Sequence, residues 1–431
     1  MTLDKCDDIM PLGCIAAGER RRNSIALLRA LYSNIGDLAI YKGTMNVFSH
    51  LHIEPKYIFD PEPTFPEGYL EDYNLNLVYT FPSLIEKEIQ QNEKSPFNYI
   101  RPTLSLPSDL LHMLKLRKEI DCLYCLGGAR FGDKFAVHVI GEIVNACYKK
   151  KILNADLVIG GISIARSDNG YLFKRLYSKF LNQITHLFVR DNISYSNLVK
   201  YDFPPEKCSI ICDFAYWLNP LRSQRSMEIM TKLDESSKGF PLIGIAPGMD
   251  IKSSKTEFLI SWCHLIRTLY DKGYSIALIP TSHNPKCLTP PHDKDDYGLC
   301  HLINSKLNLN LPIIQTKQLE PEEIIEFMKK FDCVVSARMH GAIFSTIANV
   351  PTIHIYNEEK GLGLFNTFFN DAVRLYSLEE FLDYSRFHSN LIRDLEELLD
   401  VKNPYSEAIN NMKKISSKRI YDVFVNLGLI H

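Results

Sequence analysis

Cys333-Val-Val-Ser-Ala-Arg338-Met-His340-Gly341-Ala-Ile-Phe-Ser-Thr-Ile-Ala-Asn349-Val-Pro-Thr352-Ile-His-Ile-Tyr356 is the stretch that decides the fold class of this chain. An apolar run of strand character, Cys333 to Val335, breaks into Ser-Ala-Arg338-Met-His340-Gly341. A short helical stretch follows to Asn349, and a second strand-like run starts at Thr352. A cation, an imidazole and a glycine therefore sit where a strand hands over to a helix. In open α/β sheets ligands bind there, outside the carboxyl ends of the strands. The first free N–H groups of the new helix face the same space and favour an anion. Arg338 offers a planar fork of donors suited to carboxylate or phosphate. His340 can exchange a proton near neutrality. A lone Arg-x-His after a strand is commonly only a surface pair, so the rest of the chain must add weight.

Working outward, a chain of 431 residues makes two or three domains at about 150 residues each. A hydrophobic content of 45% is ample for packed cores. The net charge of -2 argues against a nucleic-acid-binding surface as the main business. The clusters Arg20-Arg21-Arg22 and Lys149-Lys150-Lys151 read as solvated faces, with weak peripheral contact to an anionic membrane as the lesser alternative. No apolar stretch reaches the roughly 18 residues of a membrane span. The first residues lack a basic region followed by an apolar core, so the expected location is cytoplasmic, at the inner face of a membrane if that contact is made.

The eleven cysteines are odd in number, and most fall inside apolar runs, as buried free thiols do. Cys122-Leu-Tyr-Cys125 has zinc-like spacing, but it reads as a strand, and residues three apart on a strand face opposite sides. Neither a metal site nor disulfides are expected.

Alternating strand and helix patterns define the organisation. Residues 1–218 read as a first Rossmann-like domain, interrupted by a Pro-rich aromatic insertion at about 55–107. Residues 219–240, with little apolar periodicity, read as a linker. A second alternating unit spans 241–376, with strands at Pro241 to Ala246, Tyr274 to Ile279 and Asp332 to Val335. A helical tail, 377–431, could pack back on the first domain. Strands alternating with helices of 10 to 15 residues signal parallel sheets covered on both faces. The fold class expected is α/β, two such domains with a cleft between their strand ends.

Several further turns carry candidate chemistry. Asn34-Ile-Gly36-Asp37 opens the first unit ahead of a helix. There glycine permits close approach, and Asn and Asp cap the helix or bind hydroxyls. Gly127-Gly128-Ala-Arg-Phe-Gly-Asp133 links a buried strand to a helix. It matches neither the P-loop nor Gly-x-Gly-x-x-Gly, which leaves a backbone-lined ligand turn with Asp133 as a candidate base. Gly160-Gly161-Ile-Ser163 reads as a similar turn. Val189-Arg190-Asp191-Asn-Ile-Ser194 repeats the arginine after a strand, and Cys212-Asp213 closes another. Two strand-end arginines, one per domain, would suit a small dianion.

Taken together, these residues resemble the polysaccharide pyruvyl transferase family from about Asn34 to Phe365. The strongest signature is Ser336-x-Arg338-x-His340-Gly341 followed by Ile353-x-Ile355-Tyr356 and Lys360-Gly361. Arg190-Asp191-x-x-Ser194 with Asp213 comes next. Asn34-x-Gly36-Asp37 and Gly127-Gly128 are less specific, and Ala129 stands where the family usually has a third glycine. The resemblance implies a glycosyltransferase-B-like architecture with the site in an interdomain cleft. It implies phosphoenolpyruvate as donor, a cell-surface glycan sugar (lipid-linked or free) as acceptor, and a pyruvate ketal as product. It maps functional residues to Arg190, Asp213, Arg338 and His340.

These implications fit the residues. Two arginines and helix N-termini would hold the phosphate and the carboxylate, assisted by Asn34, Gly36, Asp37, Gly127, Gly128 and Gly341. His340 would protonate the methylene carbon or steady the departing phosphate, with Asp213 or Asp133 as base. No cofactor is required, and the histidines of the 283–292 loop read as a cleft edge rather than metal ligands. A nucleotide-sugar-dependent glycosyltransferase of the same shape is the rival enzyme, since fold does not fix the donor. A non-catalytic glycan-assembly protein is the alternative outside enzymes.

Overall fold

The computed structural model describes residues 24–28, 35–59, 71–78, 106–127, 136–164, 178–237, 239–248, 255–282, 295–317 and 319–430. The chain divides into two compact units. The first comprises 1–30, 48–211 and 415–431, the second 31–47 and 212–414.

Unit 1 is built on a seven-stranded sheet. Its strands are β1 (Ile25–Leu28), β2 (Pro55–Phe59), β3 (Asn76–Val78), β4 (Cys122–Cys125), β5 (Asp156–Ile162), β6 (His186–Val189) and β7 (Cys208–Ile210). All neighbours pair in parallel. Runs such as Ile-Ala-Leu-Leu and His-Leu-Phe-Val are buried at every position, as expected of strands covered on both faces. The order β3-β2-β1-β4-β5-β6-β7 reverses direction between β1 and β4. That is the Rossmann switch point, and Gly127 follows β4 there.

Unit 2 carries a five-stranded parallel sheet of β8 (Leu242–Ala246), β9 (Ser275–Leu278), β10 (Cys333–Ser336), β11 (Thr352–Tyr356) and β12 (Arg374–Ser377). Its order is β12-β11-β10-β8-β9, so its switch point lies between β8 and β10. The helix Lys255–Asp271 closes its core, with Trp262 fully buried against Phe381 at 4.6 Å between ring centroids.

Four sequence readings change. The segment 55–107 is not simply an insertion over the sheet edge, because it supplies β2 and β3, which extend the sheet in register. Proline at the first position of β2 is compatible with a strand. Residues 219–240 are not an open linker. The helix Gln224–Ser237 occupies most of them, buries Ser226 and Leu233, and packs on the helix Pro321–Met328. Its stripe is too thin to show as apolar periodicity. Gly160-Gly161 is not a strand-to-helix turn but a bulge inside β5. The β5–β6 register shifts between Ile159 and Ile162, and Gly161 has φ +59°, a conformation that favours glycine. Finally, the helix Ile35–His50 does not simply open the first domain, because residues 31–47 group with unit 2. Among the described residues no helix is long and apolar enough to cross a membrane.

Three histidines make the fold sensitive to acid. His186, His354 and His388 are 8%, 2% and 1% exposed, and burial pushes each imidazole down from 6.5 to about 4. The unfolded chain therefore binds more protons between these values, and stability falls as pH drops from 6.5 towards 4. From pH 7 to pH 5 each should cost about 2 kcal/mol. Urea midpoints at the two pH values test this. His186→Gln, which can keep a bond to Ser209, should remove about one such step.

Candidate functional site

The site grows from the end of β10. Ser336 Oγ donates to the Arg338 carbonyl at 2.8 Å and accepts the Arg338 N–H at 3.2 Å. This local loop turns the chain out of the sheet. Arg338 is the N-cap of the helix Met339–Ile347, with extended φ −99° and ψ 126°. His340 and Gly341 thus fall in its first turn. A Cβ at Gly341 would stand 2.5 Å from Ser336 Oγ and 3.4 Å from Ala246 Cβ. Only glycine lets the helix begin this close to β8 and β10, at the switch point of the sheet.

A second helix N-terminus arrives at the same place. The helix Ile35–His50 begins at His340, where a Cβ on Gly36 would lie 2.1 Å from the imidazole Nδ1. Asp37 is acidic in its first turn. Three further residues fasten this helix within unit 2. Lys42 reaches Glu320 and Glu322, each at 3.0 Å. Burial pulls the Lys42 ammonium down, but Glu322 and Glu320 outweigh it and hold the group above its ordinary value. A Cβ at Gly43 would stand 1.9 Å from the Phe214 carbonyl oxygen, and Asn46 Nδ2 donates to the Trp217 carbonyl at 3.1 Å. The Phe214–Trp217 turn is tied in turn to the His340 helix by Tyr216 Oη and Thr346 Oγ1, 3.1 Å apart.

Arg338 is held by a residue the sequence reading passed over. Its Nε lies 3.2 Å from both oxygens of Asp296, and its Nη2 lies 2.7 Å from Oδ1. Asp296 is fully buried, and Oδ2 also accepts the N–H groups of Ser282 at 2.8 Å and Thr281 at 3.3 Å. The Arg338 side chain stays one-third exposed. Gly248, at φ +50°, packs on its stem; a Cβ there would meet Cγ at 2.8 Å.

His354 was also missed. Its Nδ1 lies 2.9 Å from the Ser336 carbonyl oxygen. Because a carbonyl can only accept, and burial keeps the ring neutral, the proton sits on Nδ1. Nε2 faces the first turn of the helix Glu359–Phe368, where Gly361 leaves room for it. The ring thereby braces the strand end from which Arg338 and His340 project.

The remaining sequence candidates are distributed as follows. Asp213 is buried and caps the Phe214–Trp217 turn, its Oδ1 accepting the Ala215 N–H at 2.9 Å. Arg190 belongs to unit 1 and is 1% exposed, with Nε and Nη2 donating to Ser163 Oγ at 3.1 and 3.0 Å. Asp191 caps the helix Asn192–Val199 by accepting the Ser194 N–H at 2.6 Å and hydroxyl at 2.8 Å. Burial pushes its carboxyl up, against the pull of Ser194 and Arg190. Gly127 abuts the bulge of β5, where a Cβ would stand 2.2 Å from the Gly160 carbonyl oxygen. Gly127 also belongs to unit 1. Asn34, Gly128 and Asp133 lie outside the described residues. Gly36, Asp37, Arg338, His340 and Gly341 are therefore brought together within unit 2.

Two helix N-termini, an anchored guanidinium and an imidazole can bind an anion and handle a proton beside it. Solved structures share this fold. A UDP- and glucose-bound HepE (Alr3699) from Anabaena superposes with TM-score 0.57 at 9% identity, covering 93% of this chain and 99% of the other. A glycosyltransferase from Rickettsia africae gives 0.58 at 13% identity, covering 94% and 98%. The UDP-GlcNAc 2-epimerase of Methanocaldococcus jannaschii gives 0.57 at 12%, covering 93% and 99%. At such identities the likeness shows the fold alone, two Rossmann-like domains of glycosyltransferase-B-like class. No curated protein matches the chain. The model of one family, Polysaccharide pyruvyl transferase, matches residues 34–359. That span takes in the Gly36 helix, the β10 turn and His354, and the chain belongs to the polysaccharide pyruvyl transferase family.

Proposed function

We propose that the protein transfers a pyruvyl group from phosphoenolpyruvate to a sugar of a cell-surface glycan, forming a ketal that bridges two hydroxyls. Family membership supports a transferase acting on polysaccharide. The observation that carries the finer reading is the meeting of two helix N-termini at His340 beside Arg338. This arrangement suits a small, strongly anionic donor whose carbon skeleton must be protonated.

In the reaction we propose, His340 gives a proton to the methylene carbon of phosphoenolpyruvate, and positive charge develops at the neighbouring carbon. A sugar hydroxyl adds there and loses its proton to a carboxylate. The carbon–oxygen bond to phosphate then breaks, the second hydroxyl adds, and its proton is released. One donor and one diol give one ketal and one inorganic phosphate. Arg338 and the first-turn N–H groups hold the donor's anionic groups. Asp133, in the glycine-rich turn of the sequence after Cys125, remains a candidate base. Asp213 is the other, although its Oδ1 is engaged in capping.

A second reading draws on the HepE structures, described as complexes with UDP and with UDP-glucose. A nucleotide-sugar transferase would release UDP from a sugar nucleotide. The purified chain, incubated with glycan acceptor and each donor, should release inorganic phosphate from phosphoenolpyruvate and no UDP from UDP-glucose. UDP release alone would replace the first reading by the second.

A further inference from the structure

We infer that Asp296 is the positioning residue of the anion site: it acts through Arg338, fixing the guanidinium for an anion at the N-terminus of the helix Met339–Ile347. The identity of the donor rests on the proposal above, whereas this inference concerns the anion itself.

Three observations support it. The bond set is a fork, drawing on both Nε and Nη2 of Arg338, which sets the plane of the guanidinium as well as its position. Asp296 is itself immobilised, because it is fully buried and accepts N–H groups from Thr281 and Ser282 in the segment that follows β9. The stem of Arg338 has a third constraint in Gly248, which leaves no room for a side chain. A guanidinium a third exposed at a helix N-cap would otherwise sample many rotamers, and its order would have to be established at each binding event.

The physical argument has two opposed parts, and their balance can be read experimentally. As a negative charge beside Arg338, Asp296 weakens the site's attraction for an anion. As an anchor, it strengthens binding by holding the donors in place. If charge dominated, removing it would tighten anion binding. If positioning dominates, as we infer, removing it weakens binding. The sign of one substitution separates the two.

The test uses the full chain and isothermal titration with inorganic phosphate and with phosphoenolpyruvate, in chloride buffer. Asp296→Asn should bind both at least tenfold more weakly than wild type. Arg338→Ala should lose as much, and the double variant should be no weaker than Arg338→Ala alone, because Asp296 acts only through that arginine. A merely structural role would instead give additive losses. Unchanged or tighter phosphate binding by Asp296→Asn, additive losses, or a wild type that binds neither anion would overturn the inference. If Asp296→Asn does not fold, Arg338→Lys decides. It keeps the charge but cannot span both carboxylate oxygens, so wild-type phosphate affinity in that variant would overturn the inference as well. Should phosphate binding follow the expected cycle while phosphoenolpyruvate shows no preference over phosphate, the positioning role stands and the donor reading fails.

Discussion

His340→Gln should lower phosphate release from phosphoenolpyruvate by on the order of a thousandfold, within the range attributed to a positioned general acid. Glutamine approximates the length of histidine and can donate a hydrogen bond, but it cannot deliver a proton to carbon. The substitution therefore separates the two roles open to this residue. If the imidazole only steadies the departing phosphate, the amide should keep much of that function and the loss should be closer to tenfold. A direct readout is available in deuterated water. An acid that protonates the methylene carbon reversibly exchanges the vinyl hydrogens of phosphoenolpyruvate, and proton NMR follows their disappearance. Wild type should show exchange during turnover, whereas His340→Gln should not. Wild-type turnover by the variant would remove His340 from the chemistry altogether. Thermal melts must accompany the assay, because the ring packs directly on Gly36.

Much of the second unit could be read from the sequence for a local reason. β8 and β10 are continuous apolar runs, each followed by a small or glycine-containing turn, so periodicity and turn chemistry agreed. The Arg338-x-His340-Gly341 turn was equally local, and the structure places it at the sheet's switch point. What was not legible was pairing across the chain. Asp296 lies 42 residues from Arg338, and nothing in the sequence around it marks that pairing. His354 occupied the unassigned position of Ile353-x-Ile355, since a histidine within a strand reads as ordinary core. The thin apolar stripe of Gln224–Ser237 defeated periodicity, because helix packing there rests on Ser226 and Leu233. Arg190 shows the converse difficulty. Its residue type suggested an open anion receptor, whereas burial and Ser163 occupy Nε and Nη2 in unit 1. One long-range fact did leave a trace. Gly36 and Gly43 are two turns apart in one helix, so they fall on one face, and both are positions where a Cβ would collide with unit 2.

That trace yields the second large effect, Gly36→Ala. In most helices replacing glycine by alanine raises stability by roughly 1 kcal/mol through the unfolded chain. Here the opposite is expected, because the added Cβ would lie 2.1 Å from His340 Nδ1 and 2.6 Å from Cε1. Either the helix retreats or the imidazole turns aside, and overpacking of this kind costs about 1–3 kcal/mol. Activity should suffer more than stability, since a displacement of about 1 Å at a reacting group can cost on the order of a hundredfold. Gly43→Ala supplies the control. Its Cβ would meet the Phe214 carbonyl oxygen at 1.9 Å, so it overpacks the same helix without touching the imidazole. Both variants should melt earlier than wild type, but only Gly36→Ala should lose turnover per folded molecule. The double variant Gly36→Ala/His340→Ala should melt later than Gly36→Ala alone, because deleting the ring makes room for the methyl group. If Gly36→Ala instead turned over as fast as Gly43→Ala, the helix N-terminus would have no hold on the imidazole, and the anion site at His340 would lose one of its two helices.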